Sequence, residues 1–179
     1  MKKLSILALA IALLAAPASF GRALVTAGSN ELGISGMIDF ASEVGVNSAL
    51  DLRYGYFFID KLSLGFQGGF SDNDYYTNIR VAGIAEYNFP LSDDYEPLIG
   101  TDFVPFVGLG LGFQYADSHE DDLCAAVLSG ETGVKFFLSD DCAVTTSVLA
   151  QLATDDIFMN DDESTTFDIS LRLGMRFYF

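Results

Sequence analysis

The sequence predicts an all-β fold, an eight-stranded antiparallel up-and-down transmembrane β-barrel preceded by a cleaved signal peptide. Three observations predict it. From about residue 31 the chain falls into stretches of roughly ten residues in which apolar and polar side chains alternate. The basic residues of that region, with one exception, all share the polar parity. The last stretch ends in an aromatic residue with an unbroken alternate row of apolar residues behind it.

The bulk numbers permit this reading. A chain of 179 residues is long enough for one domain with a sizeable core. It is 50% apolar yet carries a formal net charge of −16. A soluble globule could show both features, and so could a barrel that turns one face to lipid and keeps a polar interior. Seventeen Gly, sixteen Phe and eight Tyr favour strands and tight turns. The acidic balance excludes a nucleic-acid partner, which needs a basic face.

Residues 1–23 read as a secretory signal peptide. Lys2 and Lys3 form a basic start, residues 4–15 an apolar stretch too short to span a bilayer comfortably, and small residues follow. Cleavage after Ala18 and cleavage after Ala23 both fit, so 24–179 is taken as the barrel. No cysteine lies near either site, so no lipoprotein anchor is expected. No long apolar run follows, so the chain should cross the inner membrane completely.

Strands are expected near 31–42, 48–58, 62–71, 76–89, 103–116, 124–138, 142–153 and 165–179. Short turns at Ile59-Asp60-Lys61 and Ser139-Asp140-Asp141 alternate with longer polar loops, and 90–102, with Pro90 and Pro97, is a longer link on the short-turn side. An even strand number lets the first and last strands pair and leaves no open edge, as lipid demands. Thirteen residues at ~3.3 Å each, tilted ~40°, rise ~30 Å, enough for an apolar band ~25 Å tall.

Two stretches are clearest. In 103–115 one face holds Phe103, Pro105, Val107, Leu109, Leu111, Phe113 and Tyr115, while the other holds Gly108, Gly110 and Gly112 in a row. Those glycines make room for bulky neighbours or allow strong coiling. In 166–179 the apolar face is Phe167, Ile169, Leu171, Leu173, Met175, Phe177 and Phe179, and the other face carries Asp168, Arg172 and Arg176.

With the apolar parity toward lipid, the inward charges are Asp39, Asp51, Arg53, Arg80, Glu86, Glu131, Lys135, Asp168, Arg172 and Arg176. After Ala23 only six basic residues remain; five are inward and Lys61 sits in a turn. The other twenty acids fall in loops or at strand ends. Buried charges must be paired, and the inward set is balanced. It should form a salt-bridged plug, because eight strands enclose little more than their own side chains. A sandwich with a solvated polar face would not need that balance. Cys124 and Cys142 would lie near opposite rims, beyond the ~7 Å that a disulfide allows, and are expected as free thiols.

The signal peptide, the eight strands, the glycine-rich 103–115 stretch and the strand ending in Phe179 resemble the small outer-membrane barrels of the OmpA, OmpX and OmpW sort. The resemblance covers nearly all of 24–179. It implies an outer-membrane address, both termini in the periplasm, and outward loops near 43–47, 72–75, 117–123 and 154–164. It also implies that Leu171, Leu173, Met175, Phe177 and Phe179 form the signal read by the barrel-assembly machinery. The chain departs from the pattern in lacking Trp, so interface girdles would rest on Tyr54, Tyr56, Tyr87, Phe89 and Tyr115.

The outward loops are acidic. Asp121, Asp122, Asp161 and Asp162 are candidate ligands for divalent cations, which could bridge them to anionic lipopolysaccharide. No loop has the spaced pattern of a dedicated calcium site, and a solvated, self-repelling loop is the simpler account. His119 is the one histidine, but Ser118 and Glu120 beside it cannot converge as a catalytic set. No catalytic residue and no cofactor is expected. The function expected is a non-enzymatic outer-membrane barrel with a structural or surface-interaction role. The alternatives are a narrow channel for small solutes and an adhesin or cation-binding surface protein.

Overall fold

The computed structural model describes residues 25–38, 48–72, 76–89, 103–118, 122–160 and 163–179. The expected signal peptide, Asp39, His119, Asp121, Asp161 and Asp162 lie outside the described residues.

Alternation of polar and apolar residues produces strands β1 (Asn30–Ile38), β2 (Ser48–Ile59), β3 (Leu62–Asp72), β4 (Tyr76–Asn88), β5 (Phe103–Ser118), β6 (Asp122–Ser139) and β7 (Cys142–Ala153). The short β8 (Phe158–Asn160) and β9 (Glu163–Thr165) follow, then β10 (Phe167–Tyr178). Strands β1–β7 and β10 close into a barrel in which sequence neighbours pair antiparallel. β1 and β10 seal it, in register from Glu31↔Tyr178 to Ile38↔Leu171. Every strand of the barrel thereby has a partner on both sides, which satisfies the backbone without water.

Three sequence expectations are corrected. The 154–164 segment is not irregular throughout: it contains the β8–β9 hairpin, a separate two-stranded sheet. β5 and β6 extend to Asp117↔Asp122, so the link between them is shorter than 117–123. The short turns centre on Asp60-Lys61 and Asp140-Asp141, each with a register shift just before it, so Ser139, expected in the turn, still pairs with Cys142. Lys61 adopts φ 73° there, a left-handed conformation that alternating patterns do not reveal.

Side-chain parity divides the molecule into an outer wall and a filled lumen. Leu109, Leu111 and Phe113 on β5 are 68%, 67% and 67% exposed, an apolar surface suited to lipid rather than water. Aromatic pairs gather on the outside near the short turns: Tyr56–Phe58, Tyr87–Phe89 and Phe103–Phe136, with centroids 5.0, 4.8 and 5.3 Å apart. Tyr115 lies toward the opposite rim, opposite Cys124 in register.

The glycine row of β5 does two things. A Cβ on Gly112 would collide with the backbone oxygen of Val81, and one on Gly110 with the hydroxyl of Ser129. At Gly108 the nearest atom would be 3.6 Å away, an ordinary contact. Close strand approach therefore requires Gly112, whereas Gly108 leaves lumen space for neighbouring side chains.

Candidate functional site

Polar side chains inside a barrel must satisfy one another, since lipid surrounds the wall. Inward parity on β1, β2, β4, β6 and β10 brings Glu31, Arg53, Glu86, Lys135 and Arg176 to one level near the short-turn end. Lys135 Nζ lies 2.6 Å from Glu31 Oε2 and 2.6 Å from Glu86 Oε1. Arg176 Nη1 is 2.9 Å from Glu31 Oε1, and the Tyr178 hydroxyl donates to Glu31 Oε2 at 2.9 Å. The Lys135 ammonium also faces the rings of Phe106, Tyr178 and Phe57 at 5.3, 5.4 and 6.0 Å, which adds cation–π attraction.

Arg53 links this level to the middle of the lumen. Its Nη2 is 2.8 Å from Glu86 Oε2 and its Nη1 3.2 Å from Glu131 Oε2. The Ser147 hydroxyl donates to Glu131 at 2.6 Å. Farther along, Asp51 accepts from Arg80 at 2.5 Å and from Gln67 at 3.1 Å, and Arg172 Nη2 stands 3.2 Å from its other oxygen. Arg80 also donates to Gln151 Oε1 at 2.9 Å.

Apolar clusters lie at both ends of this network. At the short-turn mouth Val25, Phe57, Val104, Phe137, Ala143 and Tyr178 pack together. Val25 is held there because its carbonyl accepts from Lys61 N at 2.8 Å and Gly28 N donates to Phe57 O at 2.9 Å. Toward the other rim Ile157 and Phe158 pack on Ala125, Val127 and Ala153. An interior cavity of about 10 Å³, room for about one water, touches Arg53, Gln67, Arg80, Ser129, Glu131 and Arg172.

Of the ten charges assigned inward from sequence, Asp51, Arg53, Arg80, Glu86, Glu131, Lys135, Arg172 and Arg176 are buried and ion-paired. Asp168 is half-buried and has a partner of its own. Glu31 was counted among the strand-end acids, and this is corrected: it is fully buried and touches Arg53, Lys135, Arg176 and Tyr178. The signal was present, since Glu31 shares parity with Gly33 and Ser35 on the lumen side.

Leu173, Phe177 and Phe179 are exposed on the outer wall, with Leu171 and Met175 half-buried on the same face. Asp155 and Asp156 are exposed beyond β7, and Asp122 opens β6. Among the described residues no cluster of three His, Cys, Asp or Glu is placed to hold a metal ion. Cys124 and Cys142 are free thiols.

Residues 4–179 match the family described as "Outer membrane protein beta-barrel domain". No curated protein matches the chain. Among solved structures it is similar to the N-terminal β-barrel domain of Pseudomonas aeruginosa OprF, at 18% identity and TM-score 0.64, covering 86% of this chain and 98% of that one. It is also similar to Neisserial surface protein A, at 16% identity and TM-score 0.56, covering 84% and 95%. The Yersinia pestis outer membrane protein Ail, in a nanodisc, matches at 12% identity and TM-score 0.52, covering 85% and 99%. At these identities the likeness is one of fold.

Proposed function

The chain belongs to the outer-membrane protein β-barrel family, and from that premise we propose that it is a non-enzymatic barrel with a closed lumen that presents acidic loops at the cell surface. The observation that carries this reading is the filled lumen. Buried ion pairs from Glu31 to Arg172 span it, and an apolar cluster lies toward each end. A side chain in such a network cannot move aside for a solute without leaving a charge unpaired, at a cost of several kcal/mol.

The long-loop end would face outward, with both termini in the periplasm after removal of the signal peptide and insertion by the barrel-assembly machinery. Exposed Asp155 and Asp156, with Asp161, Asp162 and Glu163 next in sequence, supply carboxylates that divalent cations could bridge to lipopolysaccharide phosphates.

The test compares the wild type with a variant in which those five acids become Asn or Gln. Both should be silent in planar bilayers, and the variant should lose most of its Mg²⁺-dependent retention on lipopolysaccharide vesicles. Stable single-channel steps in the wild type would replace the closed lumen with a narrow channel. Equal retention of the two proteins would remove the surface role.

A further inference from the structure

The apolar layer at the short-turn mouth is built from the outermost inward residue of five strands: Phe57 on β2, Val104 on β5, Phe137 on β6, Ala143 on β7 and Tyr178 on β10. The rings of Phe57 and Tyr178 stand against the Lys135 ammonium, so this layer divides the ionic level from the mouth. On β3 and β4 the corresponding residues are Ser63 and Asn88, which bring no apolar side chain to the layer. That side adjoins the β2–β3 turn, and residues 25–29 cross the mouth there.

Val25, 4% exposed, completes the cluster. Its carbonyl accepts from Lys61 N at 2.8 Å, Gly28 N donates to Phe57 O at 2.9 Å, and Ser29 O accepts from Phe57 N at 2.9 Å. Ala27 N donates to Asp60 Oδ1 at 2.9 Å. Within the segment Ser29 N donates to Thr26 O at 3.2 Å, and Gly28 takes φ 93° in the turn so formed. An L side chain is strained at that angle, although a Cβ on Gly28 would meet nothing within 4 Å. The bonds that tie the segment down all go to β2 and the turn after it. The seam of the barrel begins one residue later, where Asn30 exchanges backbone bonds with Phe179 at 2.8 and 3.1 Å. The segment can therefore lift from the mouth without parting the sheet.

We propose that residues 25–29 act as a releasable strap over the short-turn mouth. Fastened, the strap bars small solutes from the apolar layer and from the Glu31, Glu86 and Lys135 level behind it. Released, it opens that mouth while the barrel itself stays closed. A few backbone bonds and one buried valine are a small hold, and segments held in this way open far more often than the whole fold. The inference rests on the closed-lumen reading and adds which segment controls one mouth.

The test places a single thiol in the layer beneath the strap, by Val104→Cys in a chain that also carries Cys124→Ser and Cys142→Ser. Cysteine packs as a small hydrophobe, so the layer should keep its form. The mature chain is refolded in detergent and treated with a water-soluble cationic methanethiosulfonate, and mass spectrometry gives the labelling rate. Labelling through an opening follows the open fraction, so beneath the native strap it should run about 100-fold or more slower than in the boiled chain. Gly28→Ala strains only the strap's own turn and should speed labelling roughly fivefold or more. Val25→Asp puts a charge in the apolar layer and should speed it roughly tenfold or more. Both variants should keep the heat-induced mobility shift on a denaturing gel that marks a folded barrel; if Val25→Asp does not fold, Gly28→Ala decides. Rapid labelling beneath the native strap would overturn the proposal. A rate in Gly28→Ala no higher than with the native strap would also overturn it, since the aromatic layer would then close the mouth alone. The two readings fail separately: single-channel steps in the wild type would remove the closed lumen, whereas silence with strap-independent labelling would remove only the strap.

Discussion

Glu31 shows what a single side chain does in a filled lumen. It accepts from Lys135, Arg176 and the Tyr178 hydroxyl at 2.6–2.9 Å, so its loss takes away the carboxylate paired with Arg176 and leaves Lys135 with Glu86. Removing one partner of a buried pair costs about 3–5 kcal/mol, mostly because the remaining charge keeps its desolvation penalty. Glu31→Gln should therefore destabilise the refolded barrel by about 3 kcal/mol, read as a fall in the urea midpoint at unchanged slope. Lys135→Met should cost at least as much, because Glu31 and Glu86 would then face each other without their shared ammonium. Adding Glu86→Met to Lys135→Met should recover part of that loss rather than add to it, a coupling that a double-mutant cycle measures. Parity alone located most of these charges in the sequence, since β-structure sends alternate residues to opposite faces. It did not reveal who pairs with whom, because partners such as Glu31 and Lys135, 104 residues apart, meet only after closure.

At the scale of the strand, glycines mark where the wall coils tightly. On β6, a Cβ at Gly133 would press into the backbone oxygen of Thr146 and the β-carbon of Ser147, whereas at Gly130 it would meet nothing within 4 Å. Three residues apart on one strand, the two glycines fall on opposite faces, Gly133 inward with Glu131 and Lys135 and Gly130 outward, and only the fold shows that a neighbouring backbone crowds the first. Gly130→Ala should be neutral or stabilise by up to ~1 kcal/mol, because the unfolded chain loses freedom and no native atom must move. Gly133→Ala should destabilise by several kcal/mol or block refolding, because the obstacle is backbone held in the β6–β7 ladder. Mobility on unboiled gels after refolding the two variants in parallel decides the matter. Equal yields would mean that the strands can shift apart at Gly133. The strand boundaries themselves were legible to within a few residues wherever the alternation was strict, as in β5 and β10. The β8–β9 hairpin was not, since three-residue strands are too short for a period of two to register. Ile157 and Phe158, the apolar pair that docks this loop against Ala125 and Val127, were its one visible sign.

For the whole molecule, charge is sorted into two compartments that respond differently to salt. The lumen's described charges are Glu31, Asp51, Glu86, Glu131 and Asp168 against Arg53, Arg80, Lys135, Arg172 and Arg176, five of each sign. Among the described residues Asp60, Asp117, Asp140, Asp141, Asp155 and Asp156 are exposed at the two ends, where water and ions have access. Ions shorten the reach of exposed charges from about 10 Å at 0.1 M to about 3 Å at 1 M, but they do not enter a dry interior. The paired side chains of Lys135, Glu31 and Glu86 are 0% exposed, so salt cannot weaken their attraction, while repulsion among loop acids should relax. Raising sodium gluconate from about 0.05 M to 1 M should leave the heat-modification midpoint unchanged or raise it by a few degrees. A fall of more than about 5 °C would mean that solvent ions reach the lumen pairs. The two apolar clusters would then fail as seals, and the closed-lumen reading would give way to a water-filled channel.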